Sequence, residues 1–244
     1  MKNSIQDEII QTSFVSAIIC CGGNSTRMGK DINKLLMHLL GIPVIARTLM
    51  KFEESSYINE IIIVCREEDI ITYWDIVRTF DIFKVKSIIK GGSTRQNSVL
   101  NGINEASLDC EFYVIHDGAR PLVDTNDIDN VIQKAFKTKA AALGIKFKDT
   151  VKRTDTENKI LETVDRNTLW CVQTPQVFKK DLYLQARKIA AENNQDFTDD
   201  CALIENILGD VYICEGKYSN IKITTKEDIH IAESFMLEDD KKME

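Results

Sequence analysis

Five short runs dominated by Ile, Val, Ala and Phe mark the first 150 positions: FVSAIIC (14–20), EIIIVCR (60–66), VKSIIK (85–90), FYVIHD (112–117) and AAALGIKF (140–147). They are too short for helices, and most stay apolar without strict alternation, which predicts strands covered on both faces. Between them PVIARTLMKFEES, EDIITYWDIVRTF, RQNSVLNGINEA and NDIDNVIQKAFKT carry apolar residues at three- and four-residue intervals, the mark of helices with one buried stripe. Strand and helix in alternation predict an α/β fold, a mostly parallel sheet with helices on both faces.

One stretch breaks the rhythm. KDTVKRTDTENKILETVDR (148–166) reads as two short alternating segments around TDTEN, a β-hairpin too polar to be core. An isolated hairpin is marginal in water, so this arm is expected to find its partners on a second subunit. Beyond it the pattern predicts helices near 179–194 and 198–208, a strand DVYICEG (210–216), an alternating segment NIKITT (220–225) and a last helix from Lys226. With three prolines and eleven glycines no linker is marked, and one domain is the simpler reading.

Charge changes the picture only locally. A formal net charge of -7 argues against a nucleic-acid or membrane surface, which would need clustered positive charge. No run approaches the length of a membrane span, and the polar start MKNSIQDEIIQTS lacks the signal-peptide pattern, so a cytoplasmic protein is expected. Seven cysteines without a C-x-x-C pair suit a reducing compartment and core filling, and the three histidines complete no metal spacing.

In open parallel sheets ligands bind beyond the carboxyl ends of strands. The first, third and fourth runs are followed by GGNSTRMGKDINK, GGSTRQNS and HDGARP, each with Gly and Arg. The first turn fits neither common phosphate loop: with four residues intervening before Gly29 stands Asn24 rather than glycine, Asp31 follows Lys30, and Gly22, Gly23 and Gly29 lack the G-x-G-x-x-G spacing. It still offers backbone N–H groups from Gly22, Gly23, Asn24, Ser25 and Thr26, with Arg27 and Lys34 as full charges, which suits a triphosphate; a glycine turn with solvated cations is the alternative. In the second turn Gly92 permits close approach of a flat ligand, and Ser93 and Ser98 offer hydroxyls; a helix start capped by Ser93 or Thr94 reads equally well. In the third, Asp117 closes a strand, Gly118 bends the chain and Arg120 precedes Pro121, poised for a metal, a sugar hydroxyl or an ion pair within the turn.

The order GGNSTRMG, NKL, GGSTRQNSVLNGI, HDGARPLV, DTVKR, TVDRNTLWCVQTPQVF, TDD and NIKITTKEDIHIAE resembles the 2-C-methyl-D-erythritol 4-phosphate cytidylyltransferases of non-mevalonate isoprenoid synthesis. The resemblance runs over about 14–236, leaving an N-terminal extension (1–13) and a charged tail (237–244), and implies one Rossmann-like nucleotidyltransferase domain. It implies transfer of CMP from CTP to methylerythritol phosphate, with Mg2+ or another divalent ion carried mainly on the CTP phosphates, and a homodimer joined through the arm. By the same resemblance Arg27 and Lys34 stabilise the α-phosphate in the transition state, and Gly92, Ser93 and Ser98 form the cytosine pocket. Asp117, Gly118 and Arg120 lie at the ribose and substrate side. Arg166 and Lys222 hold the attacking phosphate, while Thr150 and Thr198 approach the methylerythritol. Lys222 on a strand, Arg166 on the arm and Thr198 as a helix N-cap also have purely structural readings.

Two departures stand out. The family loop commonly reads A-A-G-x-G-x-R-M; here Cys21 and Gly22 replace the alanines and Ser25 the second glycine, while Gly118 stands where alanine is common, which is expected to loosen the site. Ribitol 5-phosphate cytidylyltransferases share the attack on CTP but typically lack the DRNTLW run, and a nucleotide sensor could shed Arg27, Lys34, Arg166 or Lys222, all present here. The bifunctional form of the family carries a second synthase domain, so a monofunctional protein is expected.

Overall fold

The computed structural model describes residues 13–22, 33–207 and 209–243. All five expected strands are present: β1 (Phe14–Cys20), β4 (Glu60–Cys65), β5 (Val85–Lys90), β6 (Cys110–Asp117) and β7 (Ala140–Lys146), with a small β2 (His38–Leu39) and β3 (Ile42–Pro43) pair between the first two. The expected helices follow as α1 (Val44–Glu54), α2 (Ile70–Thr79), α3 (Arg95–Glu105) and α4 (Thr125–Thr138). The arm is β8 (Val151–Thr154) against β9 (Ile160–Val164), which among the described residues pair only with each other. Then come β10 (Trp170–Lys179), α5 (Lys180–Glu192), α6 (Asp200–Ile207), β11 (Tyr212–Glu215) and α7 (Lys226–Met243).

The seven-stranded sheet runs β11-β7-β10-β6-β1-β4-β5. β1 pairs in parallel with β4 on one side and β6 on the other, so the strand order reverses there and a crevice opens beyond their carboxyl ends. β10 was not expected. It lies antiparallel between β6 and β7, with the QTPQ sequence at its centre and its pairing to β7 interrupted between Val172 and Gln176. Polar side chains and Pro175 hide such a strand from hydropathy, and the interruption gives the proline a place without a ladder N–H. NIKITT is not a strand: residues 220–225 run as irregular chain, anchored where the Ile223 N–H donates to Ala119 O at 2.8 Å.

Two cores flank the sheet, one gathering Leu49, Phe52, Tyr73, Val131 and Ile223, the other Val99, Ile103, Tyr113, Phe178, Tyr183 and Ile204. α3 sits so close to the sheet that a Cβ on Gly102 would lie 2.5 Å from Ile18 Cγ2 and 2.8 Å from Val64 Cγ2. Both methyls belong to stiff β-branched side chains in the core, so Gly102→Ala must push the helix outward. Alanine gains about 1 kcal/mol in helix propensity, and overpacking costs about 1–3 kcal/mol. The variant is expected to lose about 1 kcal/mol net, seen as a lower urea midpoint at unchanged slope. A raised midpoint would show that α3 does not need the glycine.

Candidate active site

The register of the parallel strands brings three turns to one edge. Cys20 at the end of β1 is level with Asp117 at the end of β6 and with Val64 near the end of β4. The ladder continues past the strands: Cys21 N–H donates to Val64 O at 2.7 Å, Gly118 N–H to Cys20 O at 3.0 Å and Gly91 N–H to Cys65 O at 2.8 Å. Between these turns lies a cleft of about 420 Å³, whose lining includes Gly22, Lys34, Gly92, Ser93, Ser98, Asp117 and Lys222. Gly23, Asn24, Ser25 and Arg27 lie outside the described residues.

Lys34 opens a short 3-10 turn, Lys34–Leu36, fixed by Asn33: its Oδ1 accepts from the Leu35 N–H at 3.0 Å, and its Nδ2 donates to Asp69 Oδ2 at 2.9 Å. The lysine at the cleft is therefore positioned by a neighbour tied to the turn that follows β4. Burial pushes the adjacent Cys20 thiol up to about 12 and also holds Cys21 well above the ordinary thiol range, so both cysteines stand at the cleft as neutral thiols.

The second turn owes its glycines to packing against α3. A Cβ on Gly92 would lie 2.5 Å from Asn97 Cβ, and one on Gly91 2.9 Å from Ser98 Oγ. Thr94, rather than Ser93, caps the helix, its hydroxyl accepting from the Asn97 N–H. Ser98 was expected to present its hydroxyl to a ligand; its Oγ accepts from the Gly92 N–H at 3.0 Å and donates to Thr94 O at 2.9 Å, and so shapes the turn as well as lining the cleft.

Asp117 is the carboxylate among the described lining residues. Burial alone would raise its pKa, but Lys222, Arg120 and Arg95 outweigh that and hold it below the usual range, so it stays ionised. Lys222 Nζ stands 2.8 Å and Arg120 Nε 3.7 Å from its Oδ2. The expected ion pair within the turn is thus real but secondary to Lys222. Arg120 does not line the cleft; its Nη1 donates to Asn220 O at 2.7 Å and pins the chain that presents Lys222.

Behind the turn, the Asp117 N–H donates to Thr174 Oγ1 at 3.0 Å, and that hydroxyl stands 3.0 Å from His116 Nδ1. His116 Nε2 faces Arg120 O at 3.4 Å, which can only accept, so the ring proton is on Nε2 and the Thr174 hydroxyl donates to Nδ1. Sequence reasoning assigned no role to His116, Thr174, Gln173 or Arg95. The clue available was position alone: His116 and Thr174 occur in the HDGARP and QTPQ motifs.

Thr150, Arg166 and Thr198 do not line the cleft of their own chain. Thr150 and Arg166 are exposed at the root of the arm, where Arg166 Nη1 donates to Lys148 O. Thr198 is exposed just before α6 and is not its cap: the helix begins at Asp200, and the Asp199 carboxylate accepts from the Ala202 N–H at 2.9 Å. Among the described residues no group of three His, Cys, Asp or Glu side chains comes together as a metal site, and no helix is long and apolar enough to cross a membrane.

A sequence profile of 2-C-methyl-D-erythritol 4-phosphate cytidylyltransferase matches residues 15–238. The chain belongs to this cytidylyltransferase family. It is 45% identical over 223 residues to the 2-C-methyl-D-erythritol 4-phosphate cytidylyltransferase of Caldanaerobacter subterraneus subsp. tengcongensis, covering 91% of this chain and 98% of that one. It is 40% identical over 221 residues to the cytidylyltransferase of the same name from Clostridium novyi, with 90% and 95% coverage. The crystal structure of 4-diphosphocytidyl-2C-methyl-D-erythritol synthase from Anaerococcus prevotii superposes with a TM-score of 0.84 at 31% identity, over 94% of this chain and 99% of that one.

Within this cytidylyltransferase Cys21 and Gly118, one from each departure, share a single space. A Cβ on Gly118 would lie 2.6 Å from Cys21 Sγ and 3.1 Å from Ile45 Cδ1. The expectation that Gly118 loosens the site is therefore corrected: the sulfur of Cys21 fills the space that a side chain at 118 would take. Gly118→Ala is expected to destabilise by about 1–2 kcal/mol, and Cys21→Ala/Gly118→Ala to recover most of that loss. Urea midpoints of the four proteins measure the coupling; additive losses would show that the positions do not share the space.

His116 gives the fold a pH dependence. Burial drives its pKa down to about 3, against an ordinary value near 6.5, so below that value the unfolded chain binds a proton that the folded chain refuses. Its contribution is complete above about pH 6.5 and is lost as pH falls toward 3, costing about 2 kcal/mol by pH 5. Wild-type stability in urea should fall more steeply between pH 7 and pH 5 than that of His116→Gln; parallel slopes would mean that the ring accepts a proton without penalty.

Proposed function

We propose that this chain transfers CMP from CTP to 2-C-methyl-D-erythritol 4-phosphate, giving 4-diphosphocytidyl-2-C-methyl-D-erythritol and pyrophosphate. Family membership supports the reaction, and one observation supports this cleft as its site: Lys34 and Lys222, from opposite ends of the chain, line it together with the glycine turn and Asp117. An oxygen of the substrate phosphate attacks the α-phosphorus in line, its new P–O bond forms as the bond to the leaving pyrophosphate breaks, and charge moves onto the leaving group. Such a transfer needs positioning and cations rather than a nucleophilic side chain.

In this reading Lys34, with Arg27, meets the charge developing on the α-phosphate, and Lys222 holds the attacking phosphate. Gly92, Ser93 and Ser98 flank the cytosine, with backbone groups able to select its exocyclic amine. The ribose and the incoming substrate lie along Asp117 and Gly118, with Arg120 supporting that side from beneath. A divalent ion enters on the CTP phosphates as part of the substrate and neutralises them; ionised Asp117 is the carboxylate in the described lining able to face it.

The arm supports a homodimer with shared sites. Ile160 and Leu161 stand 58% and 54% exposed on β9, more apolar surface than a lone two-stranded ribbon can cover, and Thr150 and Arg166 lie at its root away from the cleft of their own chain. A two-fold dimer exchanging arms would complete each cleft with Thr150 and Arg166 of the second subunit. In the same reading Thr198, on the loop before α6, approaches the methylerythritol.

Pyrophosphate release from CTP should require methylerythritol phosphate and should not be supported equally by ribitol 5-phosphate. Lys34→Ala is expected to lower kcat by about 10²- to 10³-fold, the loss typical of one preorganised donor to developing charge, and Arg166→Ala to be severely impaired as well. Mixed dimers of the two variants, co-expressed with different tags and purified through both, collect both lesions in one site and none in the other. They should regain about half of wild-type activity. Mixed dimers as inactive as their parents would show that each arm serves its own chain.

A further inference from the structure

The first turn of α3 grips the loop that precedes α6. Arg95 lines the cleft beside Ser93 and Thr94, and its Nη1 stands 2.6 Å from Asp200 Oδ2. Asp200 is 2% exposed and opens α6; its other oxygen accepts from the Tyr183 hydroxyl at 2.6 Å. Gln96 donates from Nε2 to Phe197 O at 3.2 Å, while its Oε1 accepts from Arg187 Nη1. Asp199 is fixed from β10 by Gln176, whose Nε2 donates to its Oδ2 at 2.8 Å. Thr198 is exposed, yet the residues on both sides of it are clamped, chiefly by side chains of the turn that flanks the nucleotide.

A carboxylate taken out of water must keep its cation, so the Arg95–Asp200 pair cannot slide without exposing a charge to the core. The geometry points to Arg95 and Asp200 as a pair of positioning residues: together they set the polyol-side loop, and with it Thr198, against the nucleotide turn. The inference rests on the proposed CMP transfer for the identity of the two substrates; the mechanical link between turn and loop does not. Severing the link should release the loop while leaving the cytosine turn, which Ser98 and Thr94 hold independently, in place.

Arg95→Gln, Asp200→Asn and the double variant test this, the double variant leaving no unpaired buried charge should a single variant fail to fold. Each single variant is expected to raise KM for methylerythritol phosphate about tenfold while changing KM for CTP less than twofold. The double variant should be no worse than the worse single, as for residues that act as a unit. Hydrogen exchange supplies a readout independent of turnover: amides of residues 197–202 should exchange at least tenfold faster in the double variant, and those of α3 between Val99 and Ile103 at the wild-type rate. Unchanged exchange at 197–202 would overturn the strut, as would losses that multiply in the double variant or fall equally on both KM values. Wild-type protein inactive with methylerythritol phosphate would instead refute the proposed substrate, and the exchange rates alone would then decide the strut.

Discussion

The arrangement of the cleft turns on the need to keep Asp117 charged where little water reaches it. The carboxylate closes β6, and burial by itself would favour its neutral form. An unpaired buried charge costs several kcal/mol, so cations have to be brought to it. Lys222 comes from the far end of the chain on a segment with no secondary structure of its own, and Arg120 comes from the same turn as Asp117. The fold thereby stations a lysine at the mouth of the cleft with its charge satisfied in the absence of substrate. Asp117 in this sense does structural work whose product is a positioned cation, and an incoming phosphate would compete for Lys222 rather than have to recruit it.

β10 carries the rest of the load. Gln173 Nε2 donates to Lys217 O, Asn220 Nδ2 donates to Gln173 Oε1 and Thr174 O, and Gln176 reaches Asp199. Thr174 takes the Asp117 N–H and braces His116. One buried polar strand therefore fastens three loops on the cleft side of the sheet: the HDGARP turn, the segment leading to Lys222 and the loop bearing Thr198. Hydrogen bonds in such an interior are strong when complete and costly when broken, which favours a single arrangement of the three.

The same facts explain what could be read in advance. β1, β4, β5, β6 and β7 and the four helices among them were legible because continuous apolar runs and three-to-four spacing follow directly from burial. The arm was legible because its polarity made it unfit for the core. β10 was not: its value lies in buried polar side chains, and hydropathy scores those as surface. NIKITT alternates like a strand, but Lys222 is aimed by Asp117 and Asn220, partners more than 40 residues distant or hidden in a loop, not by a ladder. Thr198 and Asp199 both suit an N-cap, and local sequence cannot choose between them; Gln176, which fixes Asp199, comes from a strand that was itself unread. The cleft residues Lys34, Gly92, Ser93, Ser98 and Asp117 were legible as candidate chemistry from their turns and Lys222 only through the family resemblance, while the residues that hold them were visible only in three dimensions.

The root of the arm ties these threads to assembly. Tyr218, four residues before Lys222, donates its hydroxyl to Lys146 O at 2.6 Å, and Lys148 Nζ sits 3.5 Å from the centre of its ring. Arg166 donates to the carbonyl of that same Lys148. The segment that delivers Lys222 to one cleft is thus stitched to the root of an arm which, in the dimer proposed above, would deliver Thr150 and Arg166 to the other. A displacement of either would be felt by both, because Tyr218 is held at its hydroxyl and its face while Lys217, beside it, is held at its carbonyl by Gln173. In the proposed dimer, arms of this kind would do more than bury apolar surface between subunits: each root would sit against the segment that carries Lys222 in its own chain.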